Sequence, residues 1–242
     1  MNHVVKQKGF TLIELMLAMT FISILLLAIA MTIIQIGTIY NRGMTLKEVN
    51  QVSRSLNSEL SRGISSSEAF SLSTKYVLAP NSSDPDPAGA RLCLGQYSYI
   101  WNYGKAIQDN SNNLTKFENN PTATVRFVKI PDAAGIYCAK NGTALLYKNI
   151  RAADAPNATE LLKSGDRTLT MHQFSIRTGS NAADKATGQQ LYSILYTIGT
   201  GDVKALTTDR TTCLPPNDPN ADFAYCTVQQ FSLVVRAGDR VN

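Results

Sequence analysis

The chain has 242 residues, of which 44% are hydrophobic, and carries a formal net charge of +5 with an isoelectric point near 9.0. This hydrophobic content is enough for a folded core and excludes wholesale disorder. The basic residues are scattered along the chain, which argues against a nucleic-acid-binding arm.

The N-terminal part predicts a membrane span. The stretch KGFTLIELML (8–17) leads into an apolar run with no charged residue between Leu15 and Asn41, which exceeds the roughly 20 residues that cross a bilayer. Lys6 and Lys8 precede the run, and this positive flank predicts a cytoplasmic N-terminus with the bulk of the chain on the outer side of the membrane. Glu14 lies directly before this uncharged stretch, within the apolar sequence that begins at Phe10. A carboxylate at membrane depth costs roughly 2.5–3.5 kcal/mol on insertion scales and needs a partner or a purpose.

The helical pattern continues beyond the apolar run. Apolar residues recur every three or four positions, which is the pattern of an amphipathic helix: Leu46, Val49, Val52, Leu56, Leu60 and Ile64. Because no proline interrupts residues 10–64, we predict one continuous helix, with Gly37 and Gly43 as the points of bending and an exit near Gly63.

After the helix, the pattern changes to strands and turns. Six segments rich in β-branched and aromatic residues predict strands at 97–103, 124–130, 144–150, 169–177, 190–199 and 228–237. Long polar connections separate them, at 80–90, 109–121, 178–189 and 214–225. The predicted fold class is α+β: a long N-terminal helix, half transmembrane and half amphipathic, packed on one antiparallel β-sheet.

The four cysteines are Cys93, Cys138, Cys213 and Cys226. They form no C-x-x-C pair, and His3 and His172 are the only histidines, so the residues do not make up a zinc site. An even number of cysteines beside an export segment predicts two disulfides formed outside the cytoplasm. Three pairings are open, and we favour Cys93–Cys138 with Cys213–Cys226 because the second pair closes a compact loop.

Three interpretations compete for the N-terminus. A cleaved secretory signal does not fit, because the apolar run is too long, lacks an A-x-A-like site and continues directly into helix. A simple membrane anchor leaves Glu14 unexplained. The third interpretation uses all the residues: KGFTLIELM resembles the prepilin signature of type IV pilins and type II secretion pseudopilins, in which a basic leader ends in Gly, Phe follows and Glu is the fifth residue of the mature chain. Lys8, Gly9, Phe10, Thr11, Leu12 and Glu14 match it.

The resemblance implies a set of processing and assembly steps. Prepilin peptidase would cut between Gly9 and Phe10 on the cytoplasmic side and N-methylate Phe10, and the retained apolar helix would bundle with other pilin or pseudopilin subunits at an inner-membrane assembly platform. Glu14 would meet the α-amine of a neighbouring subunit. The implied domains are a leader at 1–9, a transmembrane and assembly half of the helix at 10–41, an amphipathic half at 42–64 and a globular, β-rich, pilin-like domain at 65–242.

The long loops and large size resemble the larger minor pilins and J-type pseudopilins, which places the expected role in a pilus tip or initiation complex. A type II secretion pseudopilin is the first alternative, and a DNA-binding or adhesive tip subunit is the second, although no residue pattern supports DNA or surface binding. We expect no catalysis, no cofactor and no metal. The expected location is the membrane before assembly, and then a cell-surface pilus or a periplasmic pseudopilus.

Overall fold

The structure is a computed structural model, and it describes residues 9–79, 86–142, 144–163, 165, 167–179 and 187–238. Several predicted features lie wholly or partly outside the described residues: Lys6, Lys8 and the rest of the leader up to residue 8, parts of the polar connections 80–90 and 178–189, and the C-terminal end. The chain divides into two compact units, Met1–Asn41 and Arg42–Asn242.

One α-helix, α1, runs from Leu12 to Ser65. Within the second unit, one face of α1 is buried, as the three-to-four spacing predicts; its buried residues are Thr45, Val49, Val52, Ser53, Leu56, Leu60 and Ile64. The prediction was wrong for Leu46, which is 39% exposed. Leu46 borders an open pocket beside the Cys213–Cys226 loop, whereas the neighbouring Thr45 is buried.

The helix is followed by β-structure in the second unit. In the described residues, the strands are β1 Tyr76–Ala79, β2 Gly89–Cys93, β3 Tyr97–Asn102, β4 Phe127–Pro131, β5 Lys140–Asn141, β6 Ala144–Leu145, β7 Thr159–Glu160, β8 Leu169–Thr178, β9 Gln190–Thr200 and β10 Val228–Ala237. They form a five-stranded antiparallel sheet in the order β1-β2-β3-β4-β7, a three-stranded antiparallel sheet in the order β10-β9-β8 and a two-stranded ribbon of β5 and β6. Two short helices, α2 Leu72–Lys75 and α3 Gly104–Gln108, and two 3₁₀ turns, Ala155–Asn157 and Val203–Ala205, connect them.

The sheet prediction therefore needs correction on two points. The expected single sheet is divided into two main sheets and a short ribbon. Helix α3 follows β3 directly, and in the described residues one bridge, between Tyr103 and Met171, joins the two main sheets beside it. The strand expected at 144–150 is confined to Ala144–Leu145. The carbonyl oxygens of Tyr147 and Lys148 accept hydrogen bonds from the guanidinium of Arg91, so they are not available to a ladder.

The core lies between the buried face of α1 and both sheets. Leu56 and Leu60 of α1 belong to one cluster with Trp101 of β3 and with Tyr196 of β9. Trp101 is fully buried and stacks on Phe127 at 4.9 Å between ring centroids. The aromatic side chains of Tyr99, Trp101 and Tyr103 are thus part of the core. The helix packed on antiparallel sheets makes the fold α+β, as in pilins.

A close contact near the end of α1 fixes its position on the five-stranded sheet. A Cβ at Gly63 would lie 2.3 Å from the hydroxyl oxygen of Tyr99, so only glycine leaves room for this ring. The Tyr99 hydroxyl donates to Glu59 Oε1 at 3.0 Å, and Lys129 Nζ of β4 pairs with the same oxygen at 2.5 Å. Burial raises the pKa of Glu59. The hydrogen bonds from Lys129 and Tyr99 and the positive charges of Lys129 and Arg62 outweigh this effect and hold the pKa below its usual value.

Candidate functional site

The N-terminus of α1 is closed by a reciprocal pair of hydrogen bonds between Thr11 and Glu14. The backbone N–H of Thr11 donates to Glu14 Oε2 at 2.9 Å, and the backbone N–H of Glu14 donates to Thr11 Oγ1 at 3.3 Å. The Thr11 hydroxyl also donates to Glu14 Oε2 at 2.9 Å. This is a capping box, in which a threonine before the first turn and a glutamate three residues later satisfy each other's backbone donors.

Glu14 therefore has a hydrogen-bond partner, Thr11, within its own chain. The sequence analysis expected a partner for Glu14 from a second subunit and did not predict this one. Both bonds that the carboxylate accepts end on Oε2, and within the described residues Oε1 accepts no hydrogen bond. The carboxylate is exposed, and so are its neighbours Phe10 and Leu12, at 88% and 77%. One carboxylate oxygen is thus available to a partner from outside the chain.

The role of Thr11 could have been found in the sequence. Thr11 matches the prepilin signature, but T-x-x-E followed by an apolar run is also the pattern of a capping box. The predicted helix start at residue 10 is accordingly two residues early: Gly9, Phe10 and Thr11 precede the helix, which begins at Leu12.

The apolar part of α1 is long and apolar enough to cross a membrane, with a mean hydropathy of 2.6 over its best window and none of that window buried. Its hydroxyl side chains donate to backbone carbonyls of the preceding turn: Thr20 to Leu17, Ser23 to Met19, Thr32 to Ala28 and Thr38 to Ile34. Polar groups satisfied within the helix are compatible with a lipid environment. This segment fits a membrane-anchored protein.

The four cysteines form the pairs Cys93–Cys138 and Cys213–Cys226, which is the pairing favoured from the sequence. The second pair closes a loop whose aromatic residues contact two arginines. The guanidinium of Arg42 in α1 lies 4.7 Å from the ring centroid of Phe223, and that of Arg167 lies 4.5 Å from the ring centroid of Tyr225. This disulfide loop is therefore packed on the second unit's part of α1.

The surroundings of His172 indicate a structural role. His172 is buried in β8, and its Nε2 lies 3.1 Å from the Thr200 carbonyl oxygen. Burial lowers the pKa of His172 to about 4, so it is neutral at physiological pH. Within the described ranges, no group of three or more His, Cys, Asp or Glu side chains could hold a metal ion.

Comparison with protein families gives one match. The model of the prokaryotic N-terminal methylation motif matches residues 5–34, which include Gly9, Phe10 and Glu14. No curated protein and no solved structure matches the chain significantly.

The motif defines a class: the chain carries the signal of type IV pilin and pseudopilin precursors, which are structural rather than catalytic proteins. The motif also implies processing by prepilin peptidase and assembly with other pilin subunits.

Proposed function

We propose that this protein is a minor type IV pilin that is cleaved after Gly9, N-methylated on Phe10 and assembled through its N-terminal helix in a tip or initiation complex, without catalysis. The observation that carries the proposal is the start of α1. There, a methylation motif coincides with a segment whose large apolar side chains from Phe10 to Tyr40 are exposed. Glu14, the acidic residue of this segment, has a carboxylate oxygen without a hydrogen bond in the described residues. Such a helix needs an apolar environment, first lipid and then neighbouring subunits.

Cleavage gives the assembly step its chemistry. Residues 1–9 are the proposed leader, with the N-terminus cytoplasmic before processing, and its removal creates a positive α-amine on Phe10. In a bundle of such helices, the Phe10 amine of one subunit pairs with Glu14 Oε1 of the next, while Oε2 keeps its bonds to Thr11. An opposite charge within about 4–6 Å favours the ionised carboxylate, and loss of one partner of a buried pair costs about 3–5 kcal/mol. The pair therefore sets the register of subunits.

In this proposal, residues 10–41 form the membrane and assembly segment, residues 42–64 join it to the globular domain, and residues 65–242 are displayed on the outer side of the membrane. The division into units at Asn41 and Arg42 supports this boundary. The disulfides in the second unit support an oxidising compartment for the globular part.

Substitution of Glu14 by Gln tests the charge separately from the helix cap. The Gln amide oxygen can still accept from the Thr11 N–H, so the cap remains while the charge is lost. The matched control, Thr11→Ala, removes the Thr11 side chain from the cap at a cost of about 1 kcal/mol and leaves the carboxylate in place. The measurement is the amount of each variant in sheared surface fibres, relative to processed protein in the membrane, in the cells that produce it.

We expect Glu14→Gln to be processed but lost from the fibres, and Thr11→Ala to be assembled. Assembly of Glu14→Gln at the level of the unmodified chain would show that the charge pair is not required. Assembly of Glu14→Gln together with loss of Thr11→Ala from the fibres would place the effect in the helix cap instead.

The first alternative is a type II secretion pseudopilin, which uses the same motif and helix. The neighbouring genes distinguish the two: a retraction ATPase indicates a pilus, and a secretin with a secretion operon indicates a pseudopilus. The number of copies in purified fibres tests the minor role, because a tip or initiation subunit is present in far fewer copies than the shaft pilin. A DNA-binding tip subunit is the second alternative, and it predicts DNA affinity that falls steeply with salt concentration.

A further inference from the structure

A small pocket of about 230 Å³ lies beside the edge strand β1, at a distance along the chain from the N-terminal motif. Val77 and Leu78 of β1 and Leu145 of β6 provide an apolar wall. Arg91, Lys140 and Lys148 also line it, and no acidic side chain does so among the described residues. The volume is below the roughly 300–1,000 Å³ of pockets for drug-sized ligands, so it suits a small molecule or one group of a larger one.

Arg91 is a buried cation that meets no carboxylate among the described residues. Its side chain is 1% exposed. Four of its five N–H donors bind the carbonyl oxygens of Tyr137, Tyr147 and Lys148 and the hydroxyl of Thr115, and in the described part of the chain Nε has no partner. Burial lowers the pKa of Arg91 to about 10, which leaves it positive at neutral pH.

A buried charge that meets only neutral dipoles is costly, and a counter-ion nearby relieves the cost. Among the described residues, no acidic side chain is hydrogen-bonded to Arg91, and none lines the pocket. The described residues therefore leave the positive charge of the pocket without a carboxylate partner.

The two lysines extend the positive charge to the surface. Lys148 Nζ donates one hydrogen bond, to the Asn112 carbonyl oxygen at 2.7 Å, which leaves two of its donors for a ligand. Lys140 is exposed, and the described part of the chain provides no hydrogen bond or ion pair for its ammonium group. A cleft lined by charges of one sign with low-dielectric walls concentrates ions of the other sign.

We propose that this pocket binds a carboxylate carried on a short apolar body. The guanidinium fork of Arg91 is already occupied by carbonyl oxygens, so the site lacks the bidentate grip that a phosphate or sulfate would need. The lysines act as point charges for a monoanion, and the wall of Val77, Leu78 and Leu145 accepts an aliphatic group. The ligand is either a free organic acid or the C-terminus of a peptide, since both present this chemistry.

The test compares N-acetyl-leucine with its amide, which has the same apolar body but no charge. Binding to the full chain in detergent micelles is measured by saturation-transfer NMR, with empty micelles as the blank and inorganic phosphate as a competitor. We expect the acid to bind with a dissociation constant of about 1 mM, which is usual for a ligand of about a dozen heavy atoms. The amide should bind at least about tenfold more weakly, and phosphate should not displace the acid.

Variants at the pocket mouth connect the binding to this site without disturbing the buried Arg91. The double variant Lys140→Gln/Lys148→Gln should weaken binding of the acid by about tenfold or more, because charged hydrogen bonds are lost. Lys204→Gln, which removes an exposed lysine that does not line the pocket, should leave the affinity unchanged.

A tripeptide with a C-terminal leucine distinguishes the two sources of the carboxylate. Tighter binding than N-acetyl-leucine assigns the site to a peptide C-terminus, and equal or weaker binding assigns it to a free acid. Equal binding of acid and amide, displacement of the acid by phosphate, or an unchanged affinity in the double lysine variant would overturn the proposal. None of these results depends on the role of the N-terminal helix in assembly.

Discussion

Substitution of Gly63 by Ala tests how α1 is held on the five-stranded sheet. The added Cβ would lie 2.3 Å from Tyr99 Oη and 3.2 Å from Tyr99 Cζ. The ring has no free space in which to withdraw, because Tyr99 is fully buried and its hydroxyl is bonded to Glu59 at 3.0 Å. Either the ring or the end of the helix must therefore move.

Two opposing effects determine the size of the change in stability. Overpacking a core costs about 1–3 kcal/mol, and loss of the Tyr99–Glu59 hydrogen bond adds about 1 kcal/mol. Replacement of a helical Gly by Ala stabilises by up to about 1 kcal/mol. The overpacking effect is the larger, so we expect Gly63→Ala to lower the free energy of unfolding by about 1–3 kcal/mol.

Gly43→Ala is the matched control on the same helix. Gly43 is exposed, and an added Cβ there would meet nothing within 4 Å. Only the helix-propensity effect remains, so this variant should be more stable than the unmodified chain by about 0.5–1 kcal/mol. Replacement of Gly by Ala is thus expected to lower the free energy of unfolding at position 63 and to raise it at position 43.

The assay is denaturant unfolding of the full chain in detergent, followed by tryptophan fluorescence. Trp101 is the only tryptophan and is fully buried in the core, so its emission reports loss of the helix–sheet packing. Tyr99→Phe removes the hydroxyl oxygen, which is the atom closest to the added Cβ. The double variant Gly63→Ala/Tyr99→Phe should therefore be more stable than the sum of the two single changes in free energy predicts. If Gly63→Ala equals or exceeds the unmodified chain in stability, or if the two changes are additive, the proposed steric contact is wrong.

The remaining stability predictions concern the second unit. Glu59→Gln should destabilise the fold most at neutral pH, because the folded-state pKa of Glu59 lies below its usual value of 4.5. Its contribution is present above that value and is lost as the pH falls through the folded-state pKa, so the unfolding midpoints of variant and unmodified chain should converge in acid; a gap independent of pH would contradict this. The double variant Cys213→Ser/Cys226→Ser should lose about 3 kcal/mol, as expected for a disulfide that closes a loop of this length. Unchanged thermal unfolding of that variant would show that the disulfide does not constrain the unfolded chain.

Where the sequence has a clear period, it predicted the structure. The helix and its buried face follow from the three-to-four spacing, and β3, β8, β9 and β10 follow from runs of β-branched and aromatic residues. The strand β2 was missed because all five of its residues are buried, including Arg91, so its sequence shows no alternation. The strand expected at 144–150 is shorter than predicted because Arg91, which is distant in sequence, binds the carbonyl oxygens of Tyr147 and Lys148.

In the candidate sites too, features that depend on local sequence could be predicted and those that depend on tertiary contacts could not. A local motif predicts roles for Gly9, Phe10 and Glu14, and the same local spacing contains the capping box of Thr11 and Glu14. The pocket beside β1 has no such signature, because Arg91, Lys140 and Lys148 come together only when β2 and the segment after Cys138 are joined. Contacts of this kind depend on tertiary structure and could not be predicted from spacing.

The start of the mature chain is the most direct test of the proposed function. The measurement is intact-mass and N-terminal peptide spectrometry of the protein taken from cells that contain prepilin peptidase, compared with a Gly9→Val variant. We expect a chain that begins at N-methylated Phe10, and a Gly9→Val variant that keeps its leader. A mature chain that begins at Met1, or one that begins beyond Ile36 with the apolar segment removed, would contradict it.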